Sequence, residues 1–110
     1  MSRRFCLALD LVDDAALIAD YEAHHAPGAV WPQVVAYLRA QGAEQVEIWR
    51  TGDRMTMIVD ASDDYPRPVM APPDIERWEE KMWRYQRALP QAGEGEKWLP
   101  MQRIFSLDEQ

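Results

Sequence analysis

The sequence predicts an α+β fold, a ferredoxin-like split βαβ sandwich in which an antiparallel sheet carries its helices on one face. Three observations predict it. Short runs without internal Gly or Pro, apolar or alternating, stand at Phe5 to Val12, Glu44 to Arg50 and Arg54 to Asp60, as strands require. Apolar residues recur at spacings of three and four in two other stretches, around Leu17 to His25 and Ile75 to Leu89, as amphipathic helices require. Thr51-Gly52-Asp53 divides the middle two strands as a hairpin turn.

Taken in order, FCLALDLV is a buried first strand, and Asp13 or Asp14 caps a helix that runs to about His25. Leu17, Ile18, Tyr21 and His25 share one face of it, while His24 is turned by about 100°. Ala26-Pro27-Gly28 ends that helix. A second, short helix starts at Trp31 or Pro32, runs to Ala40 and closes on Gly42. The two hairpin strands follow, then an Asp- and Pro-rich loop from Ala61 to Pro73. A third helix from Pro73 to Leu89 carries the core stripe Ile75, Trp78, Met82, Tyr85 and Leu89, which leaves Trp83 off the stripe and in need of a partner. Lys97 to Leu107 is the last strand, kept to an edge or a bulge by Pro100. Helices on one face leave the other sheet face open. Val46, Ile48, Met55, Met57 and Val59 are expected to make that open face partly apolar, so a homodimer through it is expected.

At 110 residues the chain is one domain, 1–110. Its net charge of -7 speaks against nucleic acid or an anionic membrane as a partner. Cys6 is the only cysteine, which excludes an internal disulfide and a thiolate metal cluster and suits a small buried strand residue. No leader and no spanning run is visible, so a soluble, cytoplasmic protein is expected.

Chemistry concentrates in Tyr21 to Pro32, YEAHHAPGAVWP, which holds both histidines. Tyr21 and His25, four residues apart on one helix face, can reach one small ligand, and a neutral imidazole can accept and donate protons near neutrality. The competing reading is a histidine satisfied by the helix dipole. No triad, phosphate loop, dinucleotide fingerprint or metal motif is present, and adjacent histidines cannot face one metal from a regular helix. Glu79 and Glu80, beside Lys81 and Arg84, read as a solvated face.

The sequence resembles the L-rhamnose mutarotase family, and within it the branch described as L-fucose mutarotases. The resemblance rests on a first strand ending ALDL, Tyr21-x-x-x-His25 followed by Trp31-Pro32, Glu47-Ile48-Trp49-Arg50-Thr51-Gly52, Trp78-Glu79-Glu80, Met82-Trp83-Arg84-Tyr85-Gln86, Gly95-Glu96-Lys97-Trp98 and Arg103-Ile104-Phe105. It covers nearly the whole chain in one order. It implies a dimeric α+β barrel and a 1-epimerase that interconverts the α and β anomers of a 6-deoxy sugar with no cofactor and no metal. The family's catalytic histidine matches His25, and its substrate-binding tyrosine matches Tyr21. Its sugar-binding Trp-Trp pair falls on Met82 and Trp83, and a further substrate-contacting tyrosine of the rhamnose enzymes falls on Val46. The departures at Met82 and Val46 point to the fucose-like branch, and two extra residues at Pro27-Gly28 are expected to border the pocket. On the fold alone, a haem- or aromatic-binding monooxygenase, a non-catalytic small-ligand binder, or a protein whose tryptophans only make a dimer compete with this reading.

Overall fold

The computed structural model describes residues 2–110. Strand β1 (Ser2–Leu11) leads into helix α1 (Ala15–His24). Asp14 caps that helix, its Oδ1 accepting the N–H of Leu17 at 3.0 Å, so one of the donors that every helix start leaves open is satisfied. Helix α2 (Pro32–Gln41) begins on a proline, whose missing N–H is not needed there. It stops at Gly42, held at a φ of 107° that side chains rarely adopt, and a β-carbon there would also collide with Ser62. Strands β2 (Ala43–Thr51) and β3 (Arg54–Ser62) make the hairpin around Gly52 and Asp53. Helix α3 (Pro73–Trp83), the two-residue strands β4 (Gln86–Arg87) and β5 (Leu99–Pro100), and a short 3-10 turn (Leu107–Glu109) complete the chain.

The sheet runs β2-β3-β1-β4, antiparallel throughout, which is the strand order of the split βαβ sandwich. One edge of β1 pairs with β3 over most of its length. The other edge is shared by β5, opposite Leu7 and Ala8, and β4, opposite Asp10 and Leu11.

Two elements differ from the sequence expectation. The third helix ends at Trp83 and not at Leu89, because the sheet captures the chain beyond it. The Tyr85 carbonyl accepts the Val12 N–H at 2.8 Å, and Gln86 pairs with Leu11. Tyr85 and Leu89 stay buried, but in the turn before β4 and the loop after it rather than on a helical stripe. The last strand is also shorter than Lys97 to Leu107. Only Leu99–Pro100 pairs with β1, followed by one bond from Met101 N–H to the Cys6 carbonyl at 2.7 Å. Pro100 lies on the outer position, where its missing donor costs nothing. Beyond it Ile104, Phe105 and Leu107 are exposed.

The strand register decides which side chains share a face, and it corrects the expectation about the open one. Phe5, Leu7, Leu9 and Leu11 of β1 lie on the same side as Met55, Met57, Val59 and Ala61 of β3 and Val46 and Ile48 of β2. This is the helix side. Val46, Ile48, Met55, Met57 and Val59 therefore face the helices, since a period of two leaves no choice once Leu9 and Leu11 are buried there. The open face carries Cys6, Ala8, Thr56, Ile58 and Trp49 between two cross-strand ion pairs, Arg4 with Asp60 and Arg54 with Asp10. Cys6 is half-buried there. Asp10 is clamped: Arg54 bonds its carboxylate at 2.7 and 3.1 Å and Arg87 stands 3.8 Å away, and the Arg54 bond holds the Asp10 carboxyl below its ordinary range. The clamp ties β1, β3 and β4 together at the end where the site lies.

Under the helices, Leu9, Leu11 and Met55 are fully buried against Tyr21, Val34, Trp78, Met82 and Tyr85. Each such aliphatic side chain contributes about 1.5–3 kcal/mol by leaving water. Trp31 packs edge-on to Trp78 with ring centroids 5.2 Å apart, which fixes the start of α2 against α3.

Candidate active site

The site begins with the way α1 stops. In a continuing helix the His25 N–H would bond the carbonyl of Tyr21. Here it bonds the carbonyl of Glu22 at 3.0 Å, which tightens the last turn and releases the Tyr21 carbonyl. The His25 imidazole takes the released group, with Nδ1 2.8 Å from the Tyr21 oxygen. A carbonyl can only accept, so Nδ1 carries the proton and donates. In the neutral ring Nε2 is then the bare, basic nitrogen, and none of the described residues hydrogen-bonds it. Burial pushes the His25 pKa below its ordinary value. The bond to Tyr21 works against this, and the neighbouring His24 adds to it. The histidine is thus satisfied on one nitrogen by the helix end and open on the other.

Tyr21 is buried and stacks on His25 with ring centroids 4.3 Å apart. Its hydroxyl oxygen accepts the Gln86 Nε2–H at 3.1 Å. None of the described residues accepts the Tyr21 O–H in turn. Burial pushes the Tyr21 pKa up to about 12; the Gln86 bond pulls it back and the charge of Glu79 adds to the rise. The phenol therefore stays protonated at neutral pH. One acceptor, His25 Nε2, and one donor, the Tyr21 O–H, thus belong to two rings packed with centroids 4.3 Å apart.

Both rings line a cavity of ≈ 470 Å³ between the sheet and helices α2 and α3. That lies within the usual range for small-molecule sites, about 300–1,000 Å³. Val34, Leu38, Val46, Met57 and Met82 give apolar walls, Trp78 and Trp98 aromatic ones, and Arg39, Glu44, Glu79 and Gln86 polar ones. A second cleft of ≈ 380 Å³, bordered by Trp49 and Arg50, also reaches Tyr21 and His25.

The structure thus brings Tyr21, His25, Met82 and Val46 to one cavity. Trp83 is not among the residues that line it. Its ring is part-exposed beneath Lys97, whose Nζ sits 4.7 Å above the ring centroid and also bonds Glu79 on the cavity wall. Glu79, read from sequence as a solvated residue, belongs to the rim of the site through that bond. His24 turns away to Tyr85, 3.3 Å from its hydroxyl, and to Asp20 at 3.7 Å. Of the loop after His25, Val30 lines the cavity and Pro27 and Gly28 do not. Trp78, Trp98 and Gln86 were not singled out by sequence reasoning as ligand contacts. Trp78 reads as plain core and is buried, and the other two belong to segments that meet α1 only through the fold. Among the described residues no three His, Cys, Asp or Glu side chains gather as metal ligands.

The tautomer is directly testable. Long-range ¹H–¹⁵N correlation spectra of the imidazoles are expected to show His25 protonated at Nδ1 and bare at Nε2, titrating below the ordinary histidine value of about 6.5. A proton on Nε2 at neutral pH would contradict the geometry.

Comparison with known proteins places the chain in a family. The L-rhamnose mutarotase family profile matches residues 4–107. A protein of Xanthomonas campestris pv. campestris named L-fucose mutarotase is 48% identical over 112 residues, covering 97% of this chain and 90% of that protein. The crystal structure of an L-rhamnose mutarotase from Formosa agariphila shares the fold, with a TM-score of 0.71 at 15% identity over 96% of this chain and 98% of that one. The family profile spans nearly the whole chain and the Xanthomonas relative shares almost half its residues, so the chain belongs to the L-rhamnose mutarotase family of carbohydrate isomerases.

Proposed function

We propose that this protein interconverts the α and β anomers of a 6-deoxyhexose of the L-fucose type, with His25 as general acid and base and Tyr21 as the donor to the ring oxygen. The observation that carries the reading is the fixed polarity of two rings packed 4.3 Å apart at one cavity: a His25 ring with its Nε2 bare and a Tyr21 phenol with its O–H unspent.

Mutarotation has a matching demand. The anomeric hydroxyl must lose a proton while the ring oxygen gains one, so that the C1–O5 bond breaks and a carbonyl forms at C1. His25 Nε2 takes the first proton and the Tyr21 O–H supplies the second. The imidazolium and phenolate formed together face each other across the 4.3 Å stack, so neither charge stands alone in the buried site. The open chain turns about C1–C2 and the ring recloses on its other face. His25 then returns its proton to the new anomeric oxygen and Tyr21 recovers its own from O5. Atoms and charge balance, and no cofactor enters.

The walls favour a 6-deoxy sugar, because a methyl group where other hexoses carry a hydroxymethyl suits Val34, Val46, Met57 and Met82. Val46 and Met82 stand where the resemblance places a tyrosine and a tryptophan in rhamnose enzymes, and the Xanthomonas relative carries the fucose name. Trp78 and Trp98 offer flat faces for the sugar's C–H groups, and Trp83 supports the rim through Lys97. Saturation transfer between the anomeric protons of L-fucose is the direct assay. The wild type should accelerate it, and His25→Ala should lose about a hundredfold to ten-thousandfold of the rate. An equally fast His25→Ala protein would remove the histidine from the mechanism.

The protein also acts as a homodimer in this reading. Each copy presents a part-apolar open sheet face with Trp49 at 62% exposure, and an extended C-terminal segment with Ile104 at 92% and Phe105 at 64%. A two-fold axis lets each copy cover both surfaces of the other. Sedimentation equilibrium should give twice the chain mass, and Phe105→Asp together with Ile104→Asp should halve it. A wild-type monomer at micromolar concentration rules the dimer out.

A further inference from the structure

We infer that Gln86 is a positioning residue of this site, acting through Tyr21: its amide N–H holds the phenol oxygen and so turns the phenol hydrogen toward the sugar. The inference rests on the mutarotase reading above and adds a residue to it.

Gln86 is an unusual side chain for its place. It is 7% exposed and lines the cavity with Tyr21, Met82 and Trp78, all of them buried too. Only one end of its amide is used. Nε2 donates to the Tyr21 hydroxyl at 3.1 Å, while Oε1 is buried with no hydrogen-bond partner among the described residues. A buried amide oxygen without a partner is unfavourable. A methionine or leucine would fill the same volume without it. The amide is therefore retained for what its N–H does.

That act sets a direction. A phenol can donate one hydrogen bond and accept others. When its oxygen is engaged by an N–H that can only donate, the phenol hydrogen has to point elsewhere. The backbone of Gln86 leaves little freedom to the arrangement, since β4 pairs Gln86 with Leu11 and the preceding Tyr85 carbonyl is held by Val12 N–H. The same logic operates on the partner ring, where the Tyr21 carbonyl turns the bare nitrogen of His25 outward. Two hydrogen bonds, one at each ring, fix the polarity of the pair before substrate arrives, and such preorganisation acts on the chemical step more than on binding.

The test is a double-mutant cycle on L-fucose mutarotation, with kcat and KM separated, in the wild type, Gln86→Met, Gln86→Glu, Tyr21→Phe and Tyr21→Phe/Gln86→Met. Methionine conserves volume and removes the donor. Glutamate conserves shape, and as a carboxylate it accepts the phenol hydrogen and turns it away from the sugar. Both Gln86 variants are expected to lose about tenfold to a hundredfold in kcat with KM within about twofold, the size of effect expected from a small misplacement of a reacting group. Gln86→Met is expected to cost nothing further once Tyr21 is Phe. Thermal melts keep an unfolded variant from being counted. A Gln86→Met protein with wild-type kcat, a loss confined to KM, or losses that multiply in the double variant overturns the assignment while leaving the mutarotase reading intact. A wild type inactive on L-fucose and on every other 6-deoxyhexose removes that reading, and this assignment with it.

Discussion

Where α1 tightens its final turn, the carbonyl of Tyr21 loses its backbone partner and gains the imidazole of His25 at 2.8 Å. The arrangement of the site depends on that exchange. A helix that ran one residue further would give this carbonyl to the His25 N–H and leave the ring free to choose either tautomer. The early stop puts the proton on Nδ1 and leaves Nε2 bare, on a ring that lines the cavity. It also keeps the histidine stacked on Tyr21 and edge-on to Trp78 at 5.6 Å. The loop to α2 begins there, so the same stop decides where Val30 and Trp31 meet α3. A single backbone substitution at a helix end thus links the local rule of capping to the chemistry of the pocket.

Burial then works on the two rings in opposite directions, with the same result. It favours a neutral imidazole and a protonated phenol, the two resting states that the proposed mechanism uses. The apolar side of the sheet supplies that burial and also the apolar walls of the cavity, which draws residues from both clusters of the core. The open side is built differently. Its Arg–Asp pairs and its clamp on Asp10 hold the strands in register, and Trp49 stands exposed on it.

The element order, the caps at Asp14 and Gly42, the hairpin and the inward placing of His25 were legible in the sequence because each is set by neighbours a few residues away. What was not legible depends on partners far along the chain. The periodicity of Ile75 to Leu89 is continuous, yet the helix stops at Trp83 because Val12 and Leu11 bond the residues after it. The alternation in β2 and β3 shows two faces but not which one the helices take; the register with Leu9 and Leu11 decides that. Gln86 sits 65 residues from the hydroxyl it holds, so its role has no local signature. The resemblance placed Tyr21, His25, Met82 and Val46 where one cavity gathers them, and Trp83 lies just beyond its lining.

The most direct measurement of the central claim is the pH dependence of kcat/KM for L-fucose mutarotation, which reports the free enzyme's own groups. A half-buried, neutral His25 acting as base and a phenol held protonated up to about 12 predict one loss only, on the acid side. Its midpoint should lie below the ordinary histidine value of about 6.5, with a level profile from neutrality through pH 10. An acid midpoint above that value, or a second loss between pH 8 and 10, would contradict the fixed acceptor–donor pair on which the mechanism rests.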